Sequence, residues 1–339
     1  MITVGVIGYG YWGPNLVRNF AEARGARVGF VADVRPERLA LVSARYPSVK
    51  TSTDYRDLIA DNGVDAVVVA TPVSTHFELV LAALEAGKHV LVEKPLTSSS
   101  QHAMRLIDES EKRGLVLMVD HTFVYTAAVM KMRELAASGD LGDIFYYDSV
   151  RINLGLFQHD VNVLWDLAVH DLSIMDDVLG RQPVAVSATG LAHVRGEPEN
   201  IAYMTMFFEE RLIAHVHVNW LAPVKVRRTL LGGSRRMIVY DDLEASEKVK
   251  VYDRGISVNP SPENVYQMLV LYRTGDVWIP QLALREALNA EAEHFVECVE
   301  HCRRPRTDGH AGLRVVRLLE AASRSMAKQG ELVTLNGAP

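Results

Sequence analysis

The stretch "VIGYGYWG", Val6–Gly13, decides how the rest of the chain is read. It follows the short apolar run Ile2–Ile7 and precedes the helically spaced segment Pro14–Ala23, so its glycines sit on a turn from strand to helix. Gly8, Gly10 and Gly13 stand in the order G-x-G-x-x-G, with Tyr11 and Trp12 carried in the same turn. In that context the first glycine permits the tight turn, the second lets a pyrophosphate approach the backbone, and the third lets helix pack closely on strand. The amides opening the helix then face an anion. Asp33 closes the next strand, Arg27–Ala32, about twenty residues after the last glycine, where a ribose diol needs an acceptor. Its carboxylate would repel a 2′-phosphate, which favours NAD(H). Arg35, two residues on, leaves NADP(H) open.

Working outward, strands and helices alternate. The pattern predicts a helix over Pro36–Arg45, a buried strand at Val64–Ala70 and a helix from Ser74 to about Ala86. It then predicts strand Lys88–Val92, helix Ser99–Lys112 and strand Leu115–Val119. Strands apolar on both faces with helices between them indicate an α/β, doubly wound parallel sheet, expected over residues 1–121. Past residue 122 the order changes. A helix at Ala127–Ser138 leads to strand Ile144–Asn153 and the segment Val161–Leu179. Strands then dominate: Val184–Leu191, Ala202–Phe208, Ile213–Trp220, Val226–Leu231, Met237–Tyr240 and Val249–Tyr252. Consecutive strands with tight turns predict an α+β domain with an open, mostly antiparallel sheet over 122–330. Helices within 284–328 are expected to close it.

The 339 residues suit two cores rather than one. A net charge of −6 without long runs of either sign gives no nucleic-acid footprint. The first ten residues start a strand and lack a signal-peptide pattern, and no apolar run is long enough to span a bilayer, so a cytoplasmic protein is expected. Two cysteines, Cys298 and Cys302, argue against a disulfide framework. With His294 and His301 they lie on one helix, which rarely converges four metal ligands, and no metal is expected.

The chemistry concentrates at "VLVEKPL", Val90–Leu96. An apolar strand ends in Glu93, Lys94 and Pro95, beyond which open α/β sheets bind ligands. On its own, Lys94 reads equally as a solvated charge at a strand end. Its neighbours in sequence order change that weight: the glycine turn, then "ATPVSTH" (Ala70–His76), then the EKP stretch, then "VDHTFVY" (Val119–Tyr125). Further on, "WDLAVHD" sets Asp166 four residues before His170.

This order resembles the Gfo/Idh/MocA family of sugar and inositol oxidoreductases over nearly the whole chain. The resemblance implies a Rossmann domain followed by a substrate domain. It implies that Lys94 contacts the reacting hydroxyl, that Glu93 and Pro95 shape the loop beside the nicotinamide, and that Lys94–Pro95 is cis. Thr71 and Pro72 would line the cofactor. His76 matches a family histidine equally open to a structural role, and His121 and Tyr125 match residues near the active cleft. The approach "NLGLFQHDVNVLWD" looks like members acting on nucleotide-linked or modified sugars. Arg151 and Asn153 share a strand face leading toward it and are candidates for substrate contact.

The implied function is hydride transfer between NAD(H) and a carbinol or keto carbon of a sugar, nucleotide-linked, such as a sugar 3-dehydrogenase. His170 would take the hydroxyl proton with Asp166 orienting it, or Lys94 would itself be the base. The rivals are a ketosugar reductase of deoxysugar or antibiotic assembly, an inositol dehydrogenase, and a silent NAD-binding sensor. His215 and His217 share one strand face; they read as residues of a sheet face covered by another subunit ahead of ligands, and the resemblance implies that the open sheet is buried in that way, giving a homodimer or homotetramer. Lys225, Arg227 and Arg228 read as a solvated strand ahead of a phosphate contact.

Overall fold

In the computed structural model, residues 1–155, 161–253 and 275–335 are described. The first sheet has six parallel strands: β1 (Ile2–Ile7), β2 (Ala26–Ala32), β3 (Lys50–Ser52), β4 (Ala66–Val69), β5 (His89–Glu93) and β6 (Leu117–Asp120). Their spatial order is β3-β2-β1-β4-β5-β6. The chain builds outward from β1 in one direction, then crosses to β4 on its other side. The crevice at the carboxyl ends of β1 and β4 is therefore the switch point where such sheets bind ligands. The core strands are apolar throughout because helices cover both faces; every residue of β1 and β4 is buried. The helices are α1 (Gly13–Glu22), α2 (Pro36–Arg45), α3 (Tyr55–Ala60), α4 (His76–Glu85) and α5 (Ser100–Arg113).

The first compact unit comprises residues 1–126 and also 285–317. This corrects the expected boundary, which gave 284–328 to the second domain. The helix Ala287–His301 lays Leu288, Ala292, Phe295 and Val296 into the same buried cluster as Leu16, Val17 and Phe20 of α1. Phe20 and Phe295 meet edge to face at 6.0 Å. The apolar stripe was readable in the sequence. Which core it joins was not, since periodicity carries no address. The helix Gly309–Ala327 divides after Arg317, its later residues belonging to the second unit.

The second unit holds a nine-stranded sheet. Its strands are β7 (Ile144–Leu154), β8 (Ala185–Leu191), β9 (Ile201–Phe207), β10 (Ile213–Asn219), β11 (Leu221–Gly233), β12 (Met237–Asp241) and β13 (Val249–Tyr252), with β14 (Val277–Trp278) and β15 (Val333–Thr334) at the edges. The order is β14-β13-β12-β11-β7-β10-β9-β8-β15. All pairs are antiparallel except β7 with β10. Burial alternates along β9 and β10, as a sheet with one covered face requires. Helices α6 (Ala127–Ala137) and α7 (Val169–Leu179) belong to this unit. β11 starts five residues earlier than the pattern predicts. Its register shifts between Leu221 and Val226, and Pro223, which has no amide to give a regular ladder, lies within that shift.

Candidate active site

The glycine turn is built as its spacing requires. Gly8 has φ +98°, and a Cβ there would lie 2.4 Å from the Ala70 carbonyl oxygen. A Cβ on Gly13 would lie 2.1 Å from the Gly8 carbonyl oxygen, so the start of α1 can approach β1 only without a side chain. Above Gly10 the nearest atom is an Arg35 nitrogen at 3.5 Å. Among the described residues no side chain caps the amino end of α1; Pro14 has no N–H there and the Asn15 amide is given to the Trp12 carbonyl at 2.9 Å, so an anion has to be met by the backbone of the glycine turn ahead of them. Tyr11 is almost fully exposed, whereas Trp12 donates its indole N–H to Asp120 Oδ2 at 2.8 Å. These residues fit a dinucleotide.

Asp33 is buried and accepts from the Tyr9 amide at 2.7 Å and from Arg35 through the backbone N–H, Nε and a terminal nitrogen. Burial pushes its carboxyl up, but these hydrogen bonds outweigh it and hold the group below the usual carboxylate range. Arg35 therefore occupies the carboxylate at which a ribose diol was expected, a pairing that strand and turn patterns do not foretell.

At the ends of β4 and β5 the parallel register carries the next group. Thr71 and Pro72 open the turn after β4, with Thr71 accepting a hydrogen bond from Thr75 at 2.7 Å. His76 is buried, and its two ring nitrogens lie 2.9 Å from the carbonyl oxygens of Pro95 and Thr71. It thus ties the turn after β4 to the turn after β5, a structural strap. The Lys94–Pro95 bond is cis. Burial, with the Lys94 charge beside it, drives His121 down to about 3. Among the described residues neither ring nitrogen of His121 has a partner, and the side chain is 1 % exposed. Tyr125 turns inward instead: its hydroxyl lies 3.1 Å from Thr307 Oγ1, and its ring joins the core of the first unit. That differs from the place near the active cleft, toward substrate, that the resemblance implies for it. The family motif places the residue by order along the chain, and the inward rotamer is set by Thr307, far away in sequence.

Asp120 and Glu291 were not singled out by the sequence reading. Glu93 and Asp120 are cross-strand neighbours on β5 and β6, and Glu291 is fully buried on the helix Ala287–His301. The signal for Glu291 is a carboxylate standing on the apolar face of that helix, between Leu288 and Ala292.

In the second unit Asp166 and His170 fall on one helical run, but not an unbroken α-helix. Leu164–Ala168 is a π-helical turn that passes into α7 at Val169. Such turns are frequent at functional sites. The Trp220 indole, 1 % exposed, donates to Asp166 Oδ2 at 3.1 Å and so orients the carboxylate. Arg151 is buried and donates through Nε to Asp171 at 2.6 Å; Asp171 also accepts from Ser149 Oγ at 2.6 Å. Arg151 thus grips α7 one residue past His170, where the sequence reading had offered it to substrate. A face shared on a strand does not reveal a buried acid waiting on a helix. Asn153 is partly exposed at the end of the same strand. Residues 156–160 of the approach to Asp166 lie outside the described residues. Arg227 pairs with Asp242 at 3.1 Å.

Residues 2–121 match the model of an oxidoreductase family with an NAD-binding Rossmann fold, GFO_IDH_MocA, and residues 129–239 match the GFO/IDH/MocA C-terminal domain. The chain is 31 % identical over 320 residues to the UDP-N-acetylglucosamine 3-dehydrogenase of Acidithiobacillus ferrooxidans, covering 92 % of this chain and 93 % of that one. It is 28 % identical over 319 residues to the scyllo-inositol 2-dehydrogenase (NAD(+)) of Bacillus subtilis, covering 90 % and 86 %. A solved structure of the Acidithiobacillus enzyme superposes with a TM-score of 0.82 at 28 % identity, over 96 % of this chain and 98 % of that one. Likeness of this extent runs through both units and carries the glycine turn with it: the chain belongs to the Gfo/Idh/MocA family of NAD-dependent oxidoreductases.

Proposed function

We propose that this oxidoreductase acts on a secondary hydroxyl or keto carbon of a nucleotide-linked sugar, at the 3-position. The observation that carries the substrate class is the likeness to UDP-N-acetylglucosamine 3-dehydrogenase over 92 % of the chain. When bound, the nicotinamide supplies a hydride acceptor or donor. The chain's own residues do the rest. Gly8, Gly10, Gly13 and the backbone of the turn they form hold the pyrophosphate, with Tyr11 and Trp12 alongside. Asp33, with Arg35 displaced, takes the adenosine ribose, and Thr71, Pro72, Glu93 and His121 line the nicotinamide end. Lys94 provides a fixed positive charge for the oxygen that becomes alkoxide-like as the C–H bond breaks. His170 takes the hydroxyl proton, and Asp166, held by Trp220, orients the ring and stabilises its charged form. Asn153 is the remaining candidate for substrate contact.

The enzyme works as a homodimer or homotetramer in the cytoplasm. Supporting this, the outer face of the second sheet carries Tyr203, Phe207 and Ile213, each more than a third exposed, with the Tyr203 ring stacked on His217 at 4.4 Å. No helix among the described residues is long and apolar enough to cross a membrane.

The test is the NADH absorbance band, followed over a panel of nucleotide sugars, free sugars and inositols. His170→Ala lowers turnover by about 10²–10⁴-fold with NAD affinity kept, and Lys94→Met is at least as damaging. Turnover of inositols alone would refute the substrate class. Near-normal turnover in His170→Ala with an inert Lys94→Met would make Lys94 the base.

A further inference from the structure

We propose that Glu291 is a positioning residue: with Glu93 and Asp120 it forms a hydrogen-bonded carboxyl cluster that fixes the turn bearing Lys94 and the Trp12 end of the glycine turn. The proposal rests on Lys94 being the group at the reacting oxygen. All its members lie in the first unit.

Asp120 is the centre. It is 2 % exposed and accepts the Trp12 indole N–H at 2.8 Å and the hydroxyl of Thr122. Glu93 stands beside it across β5 and β6, with Lys94 as the next residue. Glu291 comes from the helix Ala287–His301 and is 0 % exposed. Neither of its oxygens has a donor in hydrogen-bond geometry among the described residues, since Thr122 is already given to Asp120. An ionised carboxylate so placed is expensive to bury. Burial first, then the Asp120 charge, pushes Glu291 well above the usual carboxylate range, and the same two causes push Glu93 up. Each therefore keeps its proton and can give it to Asp120 as a hydrogen bond. The other titratable groups facing the cluster are Lys94, which acts on Glu93, and Tyr125 of the turn Thr122–Tyr125, whose hydroxyl Glu291 and burial raise. Beside Tyr125 lie His294, Cys298 and Arg306.

The second observation is His121, the residue after Asp120. It is buried, uncharged at neutral pH and, among the described residues, unpartnered at both ring nitrogens, next to the charge of Lys94. A polar ring left in that state is placed to meet a ligand. The cluster thus sits directly behind two ligand-facing positions, Lys94 and His121, and holds the glycine turn through Trp12. Loss of the Glu291 proton converts a donor into a second negative charge against Asp120 and loosens all three attachments.

The test uses the full chain and three measurements. Trp12 emission, taken as the difference between each protein and its Trp12→Phe counterpart, is titrated upward from neutral pH without substrate. NAD⁺ affinity is measured by calorimetry over the same range, and kcat and KM are measured on the sugar substrate. The unmodified protein should show an alkaline transition in Trp12 emission and in NAD⁺ affinity. Glu291→Gln, which keeps a donor but cannot titrate, should reduce both transitions to the part that Glu93 gives, and Glu291→Gln combined with Glu93→Gln should abolish them. Glu291→Leu should lower kcat by about 10–100-fold with little change in KM for the sugar, and Glu291→Gln should recover most of that loss. A Trp12 transition left unchanged by Glu291→Gln, or wild-type kcat in Glu291→Leu, would overturn the proposal. A protein that oxidises no sugar, yet shows the reduced transition in Glu291→Gln, counts against the substrate reading while supporting the cluster.

Discussion

Replacing Arg151 with Met separates two roles for that residue. Arg151 and Asp171 are 3 % and 4 % exposed as side chains, joined by a 2.6 Å bond from Nε and a longer contact from a terminal nitrogen. Methionine fills similar length but leaves Asp171 with Ser149 as its remaining side-chain donor among the described residues. Breaking a buried pair from one side costs about 3–5 kcal/mol, because the surviving charge stays out of water without its counter-ion. At about 1.4 kcal/mol per factor of ten, protection of the amides of β7 and α7 should fall by about 10² to 4 × 10³-fold. Hydrogen-exchange mass spectrometry on peptides from Ile144–Leu154 and Val169–Leu179 reads this directly, which suits a chain of two units whose global unfolding need not be two-state. Removing both partners, as Arg151→Met with Asp171→Leu, should restore most of the protection. A substrate contact behaves otherwise: KM rises and exchange stays as it was. Wild-type exchange with a raised KM in Arg151→Met would refute the structural role.

Two further outcomes concern the first unit. Asp33→Ala frees Arg35 for a 2′-phosphate and removes the diol acceptor, so the preference for NAD over NADP should narrow by about 10–100-fold in calorimetric affinities; an unchanged ratio would sink the assignment. His121, at about 3 in the fold against 6.5 unfolded, contributes stability that is complete above pH 6.5 and is lost as pH falls. By pH 5 the loss is about 2 kcal/mol. His121→Asn should therefore flatten the acid side of the stability curve by that amount in denaturant titrations at pH 7 and pH 5, and parallel curves would show that the ring is solvated.

Much of the first unit was legible because strand and helix periods differ and the glycine spacing admits few alternatives. Strand Lys50–Ser52 and helix Tyr55–Ala60 were missed, being three and six residues long in a polar stretch that gives neither period room to show. Lys94 and the Asp166–His170 spacing were legible through motif order. Their surroundings were not. Tyr125 faces Thr307, Arg151 faces Asp171, Asp166 is held by Trp220 and Asp120 by Trp12, each pair joined by a long-range bond that no local pattern encodes. Glu291 left a trace, an acid on an apolar stripe, but its meaning depends on which core that stripe enters.

The return of residues 285–317 to the first unit bears on how the protein is made. Residues 1–126 leave the ribosome early, with the inner face of α1, Leu16 and Phe20 included, still lacking Phe295 and its neighbours. Roughly 160 more residues must be synthesised before that helix is available, about 8–30 s at ordinary elongation rates. For that interval the nucleotide-binding half is a nascent chain with a bare apolar surface and no acid to meet Asp120. Chaperone dependence, and sensitivity to stalling or truncation late in the message, should therefore fall on the half encoded first.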